Sequence, residues 1–319
     1  MERRNLLTAG AALLTTSALP FSRAGATEFV TFGGGSTGGS FHIISAGMAR
    51  VVEQNVPNVR ATARVTSATI ENTRLLGQKR IEFALAASSG PYAAAEGKAP
   101  FANERYTNIR YIATGYSSPF QIIVPADSPV RSVADLADRR VGVLVGITAQ
   151  DWFPRVAEVY GIAGRFQQFQ LRAAELMTSL RDGNIDVAVF SGAAPTPAIT
   201  DLATSRSVRF IPIEADKAAE VIKTHPFFFA SEIAANVYPG QTQKVASLFN
   251  PILLVTREEV SEDLVYAVTK VLLDTNHADL KAIHPDAGLF NVGNAGKAMI
   301  VPIHPGAARF YTEKGVALR

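Results

Sequence analysis

No cysteine occurs among the 319 residues. Disulfides, thiolate metal sites and cysteine nucleophiles are thereby excluded. The chain has a single tryptophan and five histidines. None of His42, His225, His277, His284 and His304 sits in a telling context, and no metal site is expected. An excess of positive charge is also lacking. The formal net charge is +3, of which Arg3, Arg4 and Arg23 against Glu2 carry +2. The remainder of the chain is close to neutral, so its charge gives no argument for nucleic acid. No apolar run reaches membrane length: Leu6 to Leu19 is too short and too rich in alanine. No repeat of 20–50 residues and no low-complexity tract stands out.

The first 26 residues read as an export signal. Arg3-Arg4 precedes the apolar run, and Ala24-Gly25-Ala26 supplies an A-x-A cleavage site. The paired arginines resemble a twin-arginine signal, with the general secretory route left open. The expected mature chain starts at Thr27 in the periplasm. Its length of about 293 residues suits one large or two modest domains.

The most informative stretch is Val30 to Phe41. Phe29, Val30, Thr31 and Phe32 are β-formers, and five glycines lie between Gly33 and Gly39. From Phe41 the apolar positions Ile44, Met48, Val51 and Val52 recur at helical spacing. The spacing predicts strand, glycine turn and helix, with Ser40 as N-cap and Thr37 as a register-shifted rival. A helix start of this kind offers N–H groups to an anion. Three readings compete for it. Gly33, Gly35 and Gly38 fit the dinucleotide fingerprint, but the acid twenty residues on, Glu53, falls on the helix. Gly34, Ser36 and Gly38 fit a nucleophile elbow, but only one strand precedes it. The third reading is a ligand-binding turn in a receptor.

After this unit strands and helices alternate. Strands are expected at Arg60–Thr66, Ile81–Ala86 and Tyr111–Thr114. Near Tyr116–Phe120 the chain crosses into a second unit, with strands at Gln121–Val124, Val141–Val145, Phe169–Leu171, Asp186–Phe190 and Val208–Ile213. Ser132 and Ser261 are expected helix caps, and Pro251–Thr256 a returning strand. This rhythm implies mostly parallel sheets flanked by helices, with ligands beyond the carboxyl ends of the strands. Those ends carry Gly33–Phe41, Ser67–Asn72, Ala87–Gly90, Gly146–Ala149 and Ser191–Pro195. No arginine falls at an expected strand end.

Several segments together resemble the TAXI family of solute-binding receptors, which serve tripartite ATP-independent periplasmic (TRAP) transporters. They are Gly34–Phe41, Thr66–Asn72, Ile81–Ala86, Ser132–Leu136 with Arg139-Arg140-Val141, Leu180–Asp186, Asn250–Thr256 and Ile303–Tyr311. The resemblance spans nearly the whole mature chain. It implies a two-lobe α/β periplasmic binding protein of the type II kind, with a hinge. Lobe 1 would hold 27–118 and about 226–319, and lobe 2 would hold 119–225. It implies a non-catalytic monomer without cofactor that captures a small carboxylate, an organic or amino acid of the dicarboxylate or glutamate class, and delivers it to a TRAP permease. The ligand residues carried over are Gly38, Gly39, Ser40, Phe41, Ser67, Thr69, Ser88, Ser89, Thr148, Ser191 and Gly192. Tyr116, Phe120 and Trp152 are further candidates for cleft walls. The sequence departs from the family pattern at Ile147 and Ala193, which favours a smaller or less polar group on that side. The alternative is an exported α/β oxidoreductase holding a dinucleotide at Gly33–Gly38.

Overall fold

A computed structural model describes residues 27–37, 39–294 and 296–318. The expected export signal and Gly38 of the glycine turn lie outside the described residues.

The first strand, β1 (Glu28–Gly33), buries Val30 and Phe32. Helix α1 (Ser40–Asn55) lays Ile44, Met48, Val51 and Val52 into the core, the stripe its spacing predicts. Strand β2 (Val59–Arg64), helix α2 (Thr69–Gly77), strand β3 (Phe83–Ala87) and helix α3 (Ser89–Glu96) follow. All five residues of β3 are buried, as expected for a strand covered on both faces. Strand β4 (Ile109–Pro125) is one continuous strand of 17 residues, where the sequence suggested two. Gly115 and Pro119 read as breaks but lie within it. A Cβ at Gly115 would run into the Phe290 ring, which is why that position takes glycine.

Next come β5 (Arg140–Leu144), a π-type turn at Thr148–Trp152, α4 (Phe153–Val159), β6 (Gln167–Leu171), α5 (Ala173–Arg181) and β7 (Val187–Ser191). Helix α6 (Pro197–Ser205), strand β8 (Val208–Ile211), helix α7 (Ala215–Thr224) and strand β9 (Phe229–Ile233) lead to β10 (Val245–Arg257). Of these, α6, α7 and β9 were not anticipated. Helices α8 (Glu262–Lys270), α9 (His277–Ile283) and α10 (Pro305–Glu313) complete the chain. Ser261 caps α8 as expected, its hydroxyl accepting the Leu264 N–H at 3.3 Å.

The strands form one ten-stranded sheet in the order β2-β1-β3-β10-β4-β7-β5-β6, with β8 on β4 and β9 on β10. Strand β1 runs parallel to β2 and β3, and β5 parallel to β6 and β7. Strand β10 is antiparallel to β3, β4 and β9. Ile109 to Pro119 of β4 lies along β10. From Phe120 onward β4 pairs instead with β7 and β8. The strand is therefore shared by both halves of the sheet. A second core gathers Ile123, Leu176, Phe190, Ile199 and Phe210 with Ile233, Tyr238 and Val245. Among the described residues no helix is long and apolar enough to cross a membrane.

Candidate functional site

The pairing registers bring most of the predicted loops to one place. Parallel pairing puts the carboxyl ends of β1, β2 and β3 on one edge. Asn250 and Pro251 of β10 meet that edge, since Ser88 N–H donates to Pro251 carbonyl oxygen at 2.8 Å. Across β10, Asn250 pairs with Ser118 and Pro251 with Ser117. One residue beyond Pro119, Phe120 pairs with Ser191 at the carboxyl end of β7, and β5 ends beside it. The two sets of strand ends thus converge around Tyr116–Phe120 and Phe249–Pro251.

On the first side the glycine turn opens α1. Gly39 is the N-cap residue, in extended conformation and without a side-chain cap. The expectation that Ser40 or Thr37 caps the helix is therefore corrected: Ser40 is the first helical residue. Gly39 carbonyl oxygen accepts the N–H groups of His42 and Ile43 at 3.0 and 3.1 Å. The N–H groups of Ser40 and Phe41 precede the first intrahelical donor, and the Ser40 side chain beside them is half-buried. Phe41 stacks edge-on with Tyr116 at 6.4 Å, and Tyr116 with Phe290 at 6.3 Å. Tyr116 is only 4% exposed, yet its hydroxyl has no hydrogen-bond partner. Burial pushes its ionisation up and the Asp286 carboxylate adds to the rise, while the neighbouring Ser40 hydroxyl, beyond direct hydrogen-bond distance, partly offsets it. An unpartnered buried hydroxyl costs about 1–3 kcal/mol, so its presence beside a helix start is informative.

Asn72 holds this side together. Its Nδ2 donates to the carbonyls of Gly34 and Leu85 at 2.7 and 2.8 Å, and its Oδ1 accepts from the Thr66 hydroxyl at 2.8 Å. One fully buried amide thereby fixes the ends of β1, β2 and β3 relative to each other. Thr69, another predicted contact, accepts the Ala87 N–H at 3.0 Å and is buried. Ser67 is exposed, and both its N–H and its hydroxyl donate to Glu71 at 2.7 and 2.9 Å. These bonds hold Glu71 below the usual carboxylate range. Ser67 thus serves the turn before α2, and Thr69 ties the start of α2 to the end of β3.

At the base, Ser88 hydroxyl donates at 2.7 Å to Asn250 Oδ1, with Phe227 carbonyl oxygen at 3.0 Å. Ser89 opens α3, and its hydroxyl accepts Trp152 Nε1–H at 3.0 Å. This bond joins the two sides of the junction. Trp152 is 2% exposed and packs edge-on against Phe120 and Phe228 at 5.9 and 6.3 Å. On the second side Thr148 and Ser191 share a short hydroxyl–hydroxyl hydrogen bond. Gln121, fully buried, donates to Gly192 carbonyl oxygen at 3.0 Å and accepts from Tyr238 hydroxyl at 2.5 Å. Gly146 takes a φ of +103° with open space around it, a conformation that favours glycine.

The sequence model of the NMT1-like family matches residues 32–315. The chain belongs to the NMT1-like family. Solved structures share its fold at low identity. XAC2383 from Xanthomonas citri bound to ATP superposes with a TM-score of 0.55 at 10% identity, over 89% of this chain and 94% of that one. The same protein bound to chloride gives 0.52 at 9% identity, over 89% and 95%. A binding protein component of an ABC phosphonate transporter from Pseudomonas aeruginosa gives 0.50 at 12% identity, over 83% and 80%. At such identities the likeness establishes the fold, an α/β binding-protein fold.

In this NMT1-like chain the structure brings Gly39, Ser40, Phe41, Ser88, Ser89, Thr148, Ser191 and Gly192 to one junction, with Tyr116, Phe120 and Trp152 in its walls. Ser67 stays on the exposed rim. Sequence reasoning missed Asn72, Gln121 and Asn250, all fully buried amides. It also found no arginine at a strand end, whereas β2 ends at Arg64, which is half-buried and in no ion pair among the described residues. The dinucleotide pattern lacks its acid in place, because Glu53 lies on α1 paired with Arg60 at 3.0 Å. Among the described residues no cluster of potential metal ligands occurs.

Proposed function

We propose that this protein is a non-catalytic periplasmic receptor that captures a small organic or amino acid between two lobes and passes it to a membrane permease. The observation that carries this reading is the convergence of two sets of strand ends on one junction. That junction presents the α1 start, the unpartnered Tyr116 hydroxyl and a ring of small hydroxyl side chains. A ligand carboxylate would accept from the N–H groups of Ser40 and Phe41 and from Tyr116. Such bonds are charge-assisted and stronger than neutral ones. Phe41, Phe120 and Trp152 would exclude water around it. Family membership and the fold shared with a transporter's binding protein support the receptor class.

The division into lobes follows the two shared strands, with residues 27–118 and the C-terminal part in lobe 1 and 119–225 in lobe 2. The packing of Ile233, Tyr238 and Val245 with Phe190, Ile199 and Phe210 favours a return crossing at Phe249–Pro251 over one near Pro226. Delivery to a TRAP permease rests on the resemblance of Gly34–Phe41 and the later segments to TAXI receptors. The Pseudomonas aeruginosa neighbour serves an ABC transporter, which makes an ABC permease the second reading. Export, removal of residues 1–26 and a monomeric state belong to the same proposal.

The test is a thermal-shift screen of the chain from Thr27 against organic acids, amino acids, sulfonates, phosphonates and nucleotides. A ligand at a hundred times its dissociation constant stabilises the fold by about 2.7 kcal/mol, or roughly 4 °C for a chain of this size. Hits among carboxylates with none among nucleotides are the expected outcome. A shift with dinucleotides alone would sink the proposal and revive the oxidoreductase.

A further inference from the structure

Asn250 is 0% exposed, and its Nδ2 has no hydrogen-bond partner. Its orientation is fixed from the other end. Oδ1 lies 2.7 Å from the Ser88 hydroxyl and accepts from Ser89 N–H at 3.4 Å, so rotating the amide would set its NH2 group against the Ser89 N–H. A fully buried amide donor without an acceptor calls for a specific explanation. Its surroundings supply one. Ser89 is the first residue of α3, where backbone N–H groups lack intrahelical acceptors. The Ser89 hydroxyl holds the indole N–H of Trp152, which comes from the opposite side of the junction. In the charged pair nearest in sequence to Trp152, Arg155 donates to Asp151 at 2.8 Å and to His225 at 3.2 Å. Ser88, Ser89, Asn250 and Trp152 themselves carry no charge. The spot is therefore rich in donors, and with Ser89 already holding the indole its natural occupant is an acceptor oxygen.

We propose that Asn250 Nδ2 and Trp152 Nε1 form a second ligand subsite at the α3 start, which takes the far carboxylate or carbonyl oxygen of the captured acid. In the state described here Trp152 donates to Ser89; with ligand present the indole N–H turns to the ligand oxygen. This subsite rests on the receptor reading above and deepens it, because it makes the ligand two-ended. The first end sits at the α1 start beside Tyr116. The second sits at Asn250, whose strand partner Ser118 is two residues along β4 from Tyr116. Two strand residues span about 7 Å of backbone, so the two ends belong to neighbouring positions of one strand pair and the ligand considered is a short diacid or keto acid.

The experiment is calorimetric titration of succinate and of propionate, its one-ended analogue, into the wild-type protein and two variants. Asn250→Asp keeps an oxygen for Ser88 and Ser89 and replaces the donor by an acceptor. Trp152→Phe keeps the ring wall and removes the N–H, and it stays informative if the buried aspartate prevents folding. Wild type is expected to bind succinate at least tenfold more tightly than propionate, in line with a hydrogen bond to a charged group. Asn250→Asp should abolish that preference, and Trp152→Phe should reduce it several-fold. Equal binding of the two acids by wild type, or an undiminished preference in either folded variant, overturns the subsite while leaving the receptor intact. Failure of succinate while a one-ended carboxylate from the thermal-shift screen binds also overturns it. Failure of every acid overturns the receptor reading and the subsite together.

Discussion

His225 offers a test in which the sign and size of an effect follow from geometry. It stands at the C-terminal end of α7, and its Nδ1 lies 3.2 Å from Arg155 Nη1. Arginine has only donors, so Nδ1 accepts and the ring proton sits on Nε2. Protonating Nδ1 would break this bond and set two cations face to face. Burial first, then Arg155 and Lys98, lower the imidazole from 6.5 to about 4. A depressed base is neutral in the native state, while the unfolded chain takes up its proton near 6.5. The stability tied to His225 is therefore fully present above pH 6.5 and is lost as pH falls toward 4. A lowering of this size corresponds to a ceiling of about 3.4 kcal/mol. The ring is partly open to solvent, and screening reduces the expected loss to about 1–2 kcal/mol. The assay is urea unfolding of wild type and His225→Gln at steps from pH 7 to pH 4.5. Glutamine can still accept from Arg155 but does not titrate. Carboxylates that titrate in both proteins cancel in the difference. Wild type should lose about 1–2 kcal/mol relative to the variant over this range, most of it below pH 6. Parallel curves would refute the reasoning.

The other predictions concern the junction. Tyr116→Phe removes a buried hydroxyl without a partner, so the free protein should gain about 1 kcal/mol in urea unfolding. The same change should weaken binding of any carboxylate hit about tenfold in calorimetry, a pairing of effects that a purely structural tyrosine would not produce. Asn72→Ala leaves the Gly34 and Leu85 carbonyls without their donor and should cost about 2–4 kcal/mol. That lowers the thermal midpoint by roughly 3–7 °C, with scanning calorimetry as the check.

What could be read from the sequence was what neighbouring residues determine. The β1–turn–α1 unit was legible because β-formers, glycines and a helical stripe follow one another within 25 residues. Ser261 was legible as a cap because capping acts over three residues. Strand β4 was misread as two pieces because Gly115 and Pro119 are breakers in isolation. The reasons they are tolerated, the Phe290 ring and the pairing of Pro119 with Phe249, come from far along the chain. The N-cap slipped by one residue because Gly39 and Ser40 both satisfy cap preferences. Ser88, Ser89, Thr148 and Ser191 were named from the pattern of strand ends, and the structure brings them together. The roles of Asn72, Gln121 and Asn250 were not legible, since their partners lie between 6 and 162 residues away. A buried amide that ties distant carbonyls has no local sequence signature. Arg64 escaped for a smaller reason: the expected strand ran two residues too far.

The single tryptophan of the chain is buried between the two sides of the junction, with its indole N–H bound to a serine from across it. Tryptophan emission therefore has one source, located where closure would be felt. Any separation of the two sides exposes the indole to water and moves its emission to the red, and any solute that seals them moves it back. If the receptor reading holds, label-free spectra of this protein would report occupancy directly, and crude mixtures of solutes could be ranked by emission wavelength before a single component is purified.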